Sequence, residues 1–405
     1  MTSTGSRASE KIEEVATMKV TQLYVYPIKS LRPISLGTSE LNAQGLIYDR
    51  RFMLLKLQED GTLKNMHVSQ YYEMVLFHCK IRNGSIIVEY RIPNPPVAPD
   101  APSQHTTLEI PAQPDCRALR RVRIKMHGSP ASSAYRMEDE YNQWFSECFG
   151  FEVVLAYIGD GNRPTLGTIN PNSPDKSSFG GKVQQAISSD STTVKSIIYS
   201  SIAVTGLLGA YAVWAISSTQ LHLQGPQAIT NGLVAMLVIL YGLWGLIQQT
   251  VRPAYIAFSD CAPLLIASES SLTDVHPRVT DGPEISMEKF RPNIVVDGEG
   301  KWDEDFWGEL KFGDAKLPIR LTANCARCVS LNVDLETGKA ASGDAGQVLK
   351  KLMKDRRVDA GSRFSPIFGR YAFPMRGGTI SVGDDVIISK RNTERTTWDW
   401  PSLTS

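Results

Sequence analysis

The sequence predicts a mixed α+β protein, mostly β, in which a β-rich first half and a barrel-like β second half flank an inserted two-helix membrane hairpin. Three observations predict it. Short alternating apolar segments recur on both sides of the chain, as in VTQLYVYPIKS and LKFGDAKLPIRLTANCARCVSLNVD. Few segments carry a helical period. A long stretch between Lys195 and Arg252 contains no Asp, Glu, Lys or Arg.

The elements follow in order. Residues 1–17 read as a disordered leader: they lack an apolar core and carry three glutamates, unlike a secretory signal or a mitochondrial presequence. Residues 18–160 form the first β domain, with strands in VTQLYVYPIKS, RRFMLLKL and SIIVEYRI. A proline-rich loop, RIPNPPVAPDAPSQH, interrupts that sheet. MEDEYNQWFSECFG is an amphipathic helix with Tyr141, Trp144, Phe145 and Cys148 on one side. Residues 161–195 are rich in Ser, Gly, Pro and Asn and read as a flexible linker.

Residues 196–251 then contain IIYSSIAVTGLLGAYAVWAIS and GLVAMLVILYGLWGLIQQTV. Each runs to about twenty residues, the length that crosses a hydrocarbon core. Trp214 and Trp244 lie within the pair, and Lys182, Lys195 and Arg252 flank its outer ends. This pattern predicts a transmembrane hairpin with both flanks facing the cytosol; a buried helical hairpin in a soluble core is the plainer alternative. Residues 252–392 form the second β domain. It holds a strand and helix in FSDCAPLLIASESSL with Ser268 or Ser270 as N-cap, a strand in RPNIVVDG and a tight-turn strand pair from Leu310. A helix in GQVLKKLMKDRRV and a closing strand in GTISVGDDVIISKR complete it, and 393–405 is a C-terminal tail.

Basic and acidic residues balance at 43 against 42, which argues against a nucleic-acid-binding surface spread over the protein. Of six cysteines, four are dispersed singly, which predicts reduced thiols in a cytosol-like compartment. Six histidines with no zinc-helix spacing speak against a histidine-rich metal site. The one reactive cluster is Cys325-Ala-Arg-Cys328. No second CxxC exists to complete a zinc site, and the motif sits in a strand-like run, not at a helix start. One thiolate serving as a soft metal donor fits these facts, and a pair of buried strand cysteines is the bland reading. Lys29, Arg51 and Arg291, near strand ends and beside Asn293, suit an anionic ligand with phosphate and polar ring edges; taken singly, each is an ordinary surface cation.

YPIKS, DRRFML, FSDCAPLLIASESSL, FRPNIVV, the CARC–VDLETG stretch, SPIFGRY and GTISVGDDV stand in the order seen in MOSC proteins with a MOSC N-terminal β-barrel. The chain resembles the mitochondrial amidoxime-reducing component group over about residues 18–165 and 253–390. That resemblance implies a MOSC N-terminal β-barrel domain, a MOSC β-barrel-like domain and a molybdenum–molybdopterin cofactor. Cys328 would be the catalytic thiolate and metal ligand; Lys29, Ser30, Arg51, Arg291, Asn293 and Arg327 would bind the cofactor. It also implies a molybdenum-dependent oxidoreductase that reduces N-hydroxylated substrates of amidoxime or hydroxylamine type. Electrons would come from outside, since no nicotinamide or flavin fingerprint is present (GDGNRPTLG is not one), and in the family cytochrome b5 and NADH-cytochrome b5 reductase supply them. The hairpin would place the enzyme on the mitochondrial outer membrane or the endoplasmic reticulum, catalytic domain toward the cytosol.

Two departures from the family pattern are visible: Cys261 and Ala262 stand where hydroxyl residues are frequent, and Ser69 where a basic residue precedes Gln. A cofactor or sulfur carrier is the rival function. MOSC domains also end the pyridoxal-phosphate-dependent molybdenum cofactor sulfurases, but this chain has no room for the aminotransferase-like domain those require. A membrane scaffold without cofactor is the second rival, which the presence of Cys328 with the basic set opposes.

Overall fold

The computed structural model describes residues 18–172, 254–280 and 284–400, with scattered positions between 204 and 238. Seven strands close into a barrel. Around it run Ile294–Val296, Leu264–Ser268, Ile367–Pro374, Leu317–Ala326, Trp307–Phe312, Asp385–Arg391 and Met18–Val25, which pairs back onto Ile294–Val296. The pair Leu264–Ser268 with Ile294–Val296 is parallel. The tight turn expected after Leu310 is present: Phe312 faces Leu317 across the ladder, and Gly313 and Lys316 take positive φ to reverse the chain. Inward positions of Leu317–Ala326 alternate with outward ones, and Leu317, Ile319 and Leu321 join Trp307, Leu310, Ala372 and Val386 in the core.

The strand that closes this barrel comes from the chain's beginning. Leu23 pairs on one side with Leu36 and on the other with Ile294, and Thr38–Asn42 pairs with Gly378–Ser381. The two β halves therefore share backbone ladders and form one compact unit, residues 1–169 with 255–405. Asn170–Ala254 is a separate unit. Arg163–Pro164 pairs with Tyr255–Ile256 just outside it, so the chain leaves and re-enters the first unit at neighbouring points.

In the first half, Arg120–Ile124, Ser132–Arg136, Val153–Tyr157, Phe52–Leu57 and Leu63–Asn65 make a five-stranded sheet. Phe77–Arg82, Ser85–Tyr90 and Leu108–Pro111 make a three-stranded one. The expected helix is Asp139–Phe149 and buries Tyr141, Trp144, Phe145 and Cys148, spaced to fall on one face. It stops at Gly150, whose φ of 75° lets its N–H close back onto the Ser146 carbonyl at 2.8 Å. Phe77 stacks on Phe149 with centroids 4.8 Å apart, tying helix to sheet.

Ser268 is the N-cap of helix Glu269–Val275, although its side chain makes no capping bond; Ser270 instead donates to the Asp297 carbonyl at 2.8 Å. The helix expected in GQVLKKLMKDRRV is only Val348–Leu352. The closing strand is two strands, Gly378–Ser381 and Asp385–Arg391, split at Gly383 where φ is 93°.

The membrane hairpin is corrected. Among the described residues, no helix is long and apolar enough to cross a membrane. Most of the 196–251 segment lies outside the described residues, as do 1–17 and most of 161–195. A charge-free run supplies the length of a span, but crossing also needs one uninterrupted helix that satisfies its own backbone in lipid. The fold class is therefore mostly β without the inserted transmembrane pair. The assignment as an integral membrane protein of mitochondrion or endoplasmic reticulum falls with it.

Beside the barrel lies a buried charge network. Glu304 and Asp305 are both fully buried, with Arg356 and Arg370 beside them. One Glu304 oxygen accepts from the Ser271 hydroxyl at 2.7 Å, and the other has no partner. Burial pushes the Glu304 carboxyl up to about 7 from 4.5, and neighbouring Asp305 adds to the rise. The folded state therefore binds this proton more tightly than the unfolded chain. The group favours folding below about pH 4.5, and that contribution is lost as pH rises through about 7. By pH 8 the buried carboxylate costs up to about 3 kcal/mol. Glu304→Gln should accordingly raise the melting temperature at pH 8 and change it little at pH 5. Thermal unfolding at the two pH values decides; an equal shift at both would mean that burial does not perturb this carboxyl.

Candidate functional site

A cavity of about 320 Å³ opens where the barrel's loops meet the first β half. Four cationic side chains line it, Lys29, Arg50, Arg291 and Arg327, against one carboxylate, Asp260. Its floor is built by backbone in an unusual state: Ser30, Arg50 and Arg291 have φ of 72°, 46° and 55°. Non-glycine residues held in the left-handed region carry strain of about 1–3 kcal/mol each, which surrounding contacts must hold in place.

Those contacts are visible. The guanidinium groups of Arg50 and Arg291 both sit over the Tyr26 ring, at 4.4 and 4.3 Å. Arg50 donates to Asp49 at 2.6 Å and to the Asn293 side-chain oxygen at 2.7 Å. Asn293 also accepts from the Leu265 amide and donates to the Tyr24 carbonyl, so one buried amide joins three segments. Arg291 donates to the Leu31 carbonyl at 2.9 Å. Burial pulls Arg291 down to about 10, the signature of a cation short of counter-charge.

Lys29 is nearly buried and pairs with Asp260. Burial lowers the Lys29 ammonium, and the Asp260 charge offsets part of that. For Asp260, burial opposes ionisation, but Lys29 and His127 outweigh it and hold the carboxyl well below its ordinary range. Arg163, fully buried, fastens the loop that carries Asp260 by donating to the carbonyls of Ala257, Ser259 and Asp260.

The Cys325–Cys328 motif divides at a strand end. Leu317–Ala326 carries Cys325, which is buried and accepts from Arg327 Nη1 at 3.0 Å. Cys328 lies just beyond, exposed, with its Sγ 3.2 Å from Ser330 Oγ. None of the six cysteines is paired. Burial pushes the Cys261 thiol, in the adjacent loop, well above its usual value, and Asp260 and Cys325 push it further.

Of the residues singled out from sequence, Lys29, Ser30, Arg291, Asn293, Arg327 and Cys328 meet at this cavity. Arg51 does not. Its guanidinium donates to Gln44 at 2.5 Å and to the Gly159 carbonyl at 2.8 Å, beside a different cavity of about 250 Å³. Adjacent residues entering the Phe52–Leu57 strand project to opposite sides, and it is Arg50 that faces the site. Asp260, His67, His127 and Arg163 were also missed. The local signals were the Asp in FSDCAP and the segment before Gln70 that holds His67; His127 and Arg163 come from segments with no such signal.

Two polar atoms of the lining, Ser259 Oγ and Arg327 Nε, are buried without a partner. Among the described residues, no group of three or more His, Cys, Asp or Glu could hold a metal ion.

The family of the MOSC N-terminal beta barrel domain matches residues 17–152, and that of the MOSC domain matches residues 253–387. The chain is thus a MOSC-domain protein with a MOSC N-terminal barrel. Within that class it resembles the mitochondrial amidoxime-reducing components. It is 39% identical over 147 residues to component 1 of Homo sapiens, covering 35% of this chain and 42% of the relative. Component 2 of Rattus norvegicus is 37% identical over 132 residues, 32% of this chain and 38% of the relative. The chain spans about two fifths of the length of these curated relatives. Among solved structures, YiiM of Geobacillus stearothermophilus matches with a TM-score of 0.23 and 14% identity, covering 34% of this chain and 58% of that one.

Proposed function

We propose that this chain binds a molybdenum–molybdopterin cofactor and works as an oxidoreductase that reduces N-hydroxylated substrates. The observation that carries this reading is one exposed thiol, Cys328, at a cavity lined by four cations and one carboxylate. The residues fit such a group. Lys29, Arg50 and Arg291 offer charge-assisted donors to a phosphate. Arg327 Nε and Ser259 Oγ are buried polar atoms awaiting a partner, and Cys328 offers a soft donor to the metal. When bound, the cofactor supplies a two-electron redox centre able to take an oxygen atom from the substrate, chemistry no side chain provides. The chain's own residues hold it: strained backbone at Ser30, Arg50 and Arg291 presents their groups to the cavity, and Asn293 fixes that frame. Electrons come from an external chain, cytochrome b5 with NADH-cytochrome b5 reductase.

Metal and pterin analysis of the purified protein, with benzamidoxime reduction measured beside it, tests the proposal. Bound cofactor without reduction would favour a carrier; neither would sink both. The same assay separates the arginines. Arg50→Ala and Arg291→Ala should each weaken cofactor retention by roughly 10- to 150-fold, the equivalent of about 1.5–3 kcal/mol for a lost charged hydrogen bond. Arg51→Ala should retain cofactor. Loss with Arg51→Ala alone would move the binding site to the smaller cavity.

A further inference from the structure

The geometry points to His127 as the proton donor of this site, working through Nδ1 while Asp260 holds its other ring nitrogen. The inference rests on the reductase reading above, because that reaction consumes protons. An =N–OH group becomes =NH as its N–O bond breaks, and the oxygen leaves as water. Two electrons come from the external protein donor and two protons are taken up. An imidazolium at His127 would give its Nδ1 proton to the departing oxygen and keep the Nε2 proton on Asp260. Solvent supplies the second proton and recharges the ring.

His127 lines the cavity and its Nε2 is 3.0 Å from Asp260 Oδ1. The same oxygen receives Lys29. Among the described residues, Nδ1 makes no hydrogen bond. A carboxylate that fixes one imidazole nitrogen leaves the other as the working atom. The residue is also held on purpose. Its φ is 46°, a strained state for histidine, and the fully buried Trp400 anchors it by donating its indole N–H to the His127 carbonyl at 2.7 Å.

The other ionisable groups facing the cavity are placed differently. Asp260 is kept ionised by Lys29 and His127, and the Lys29 ammonium stands beside it. Arg50 and Arg291 hold their protons, and burial pushes Cys261 and Tyr371 upward. His67, with its ring centroid 6.3 Å from that of His127, is held below its ordinary value by burial, by Lys29 and by His127, against an opposing pull from Asp260. It therefore rests neutral. Among the described residues, His127 pairs with Asp260, which also receives Lys29, while Arg163 holds the Asp260 carbonyl from behind and Lys64 acts on the neighbouring His67.

The test uses the purified full chain with its cofactor and reduced methyl viologen as electron source. His127→Gly suits the left-handed backbone and leaves room for a free base. Its kcat should fall by about 100-fold or more, the usual worth of general acid catalysis, with molybdenum and pterin content unchanged. Added imidazole should restore at least about tenfold of the loss. Unchanged turnover, or a loss that follows cofactor content and ignores imidazole, overturns the assignment. A wild-type protein with no cofactor sinks the reductase reading instead. An independent readout needs no turnover: ¹⁵N spectra of histidine-labelled wild type should show the neutral His127 ring as the Nε2–H tautomer. Finding Nδ1–H overturns the dyad.

Discussion

Cys328→Ser is expected to abolish molybdenum-dependent turnover while the protein remains folded. The side chain is exposed and meets the Ser330 hydroxyl 3.2 Å away, so the fold should lose no more than about 0.5 kcal/mol. As a ligand the change is severe: serine oxygen is hard and far less acidic than a thiol, and a soft site selects against it. Changing a residue one layer behind a metal ligand costs about 10- to 100-fold, so losing the protein's own ligand should exceed that range. Cys325→Ser should behave differently. Its sulfur is buried against Arg327 Nη1, so the substitution should lower stability by about 1 kcal/mol and leave most of the turnover. Metal content and benzamidoxime reduction measured on both variants decide the matter. Equal loss of activity with metal retained in both would identify a redox dithiol and remove Cys328 as ligand.

Much of the barrel was legible because its strands announce themselves locally. In LKFGDAKLPIRL a period-2 pattern reverses at Gly-Asp-Ala-Lys, and the structure places the turn there. The closure was not legible. That Leu23 pairs with Ile294 depends on a contact hundreds of residues apart, and no local pattern encodes it. The same limit explains the site. Lys29, Arg291, Asn293 and Cys328 stand in motifs, whereas His127 reaches the cavity from a distant segment and Arg163 joins only through the Asp260 loop. Arg50 and Arg51 are neighbours of identical chemistry, so choosing between them needs the direction of each side chain. The charge-free run at 196–251 misled for another reason: absence of charge gives a span its length without showing that a continuous helix forms.

Asp305→Asn is expected to be the most destabilising of the changes considered, by about 3–5 kcal/mol. The carboxylate is fully buried and accepts both oxygens' worth of donors: Arg356 Nη2 at 2.8 and 3.0 Å, and Arg395 Nε at 2.8 Å. Asparagine fills the same space but cannot neutralise Arg356, which is itself nearly buried over the Trp302 ring. Removing one partner of such a pair leaves an uncompensated charge in low dielectric, and the loss exceeds what the intact pair contributed. The effect should reach the site. The Asp305 carbonyl and the Asn324 side chain both accept from Arg370 Nη1, at 2.7 and 2.6 Å, and Asn324 sits one residue before Cys325. Loosening this corner should therefore weaken cofactor retention as well as lower the melting temperature by on the order of 10 °C. Adjacent Glu304 makes the contrast sharp, since Glu304→Gln should stabilise at pH 8 where Asp305→Asn destabilises. Urea unfolding of the two single variants and the double variant at pH 8 checks both signs. Because the carboxylates share Arg356, their effects should not add. A loss below about 1 kcal/mol for Asp305→Asn would mean that water or Glu304 already neutralises Arg356, and the network would not be a structural support of the site.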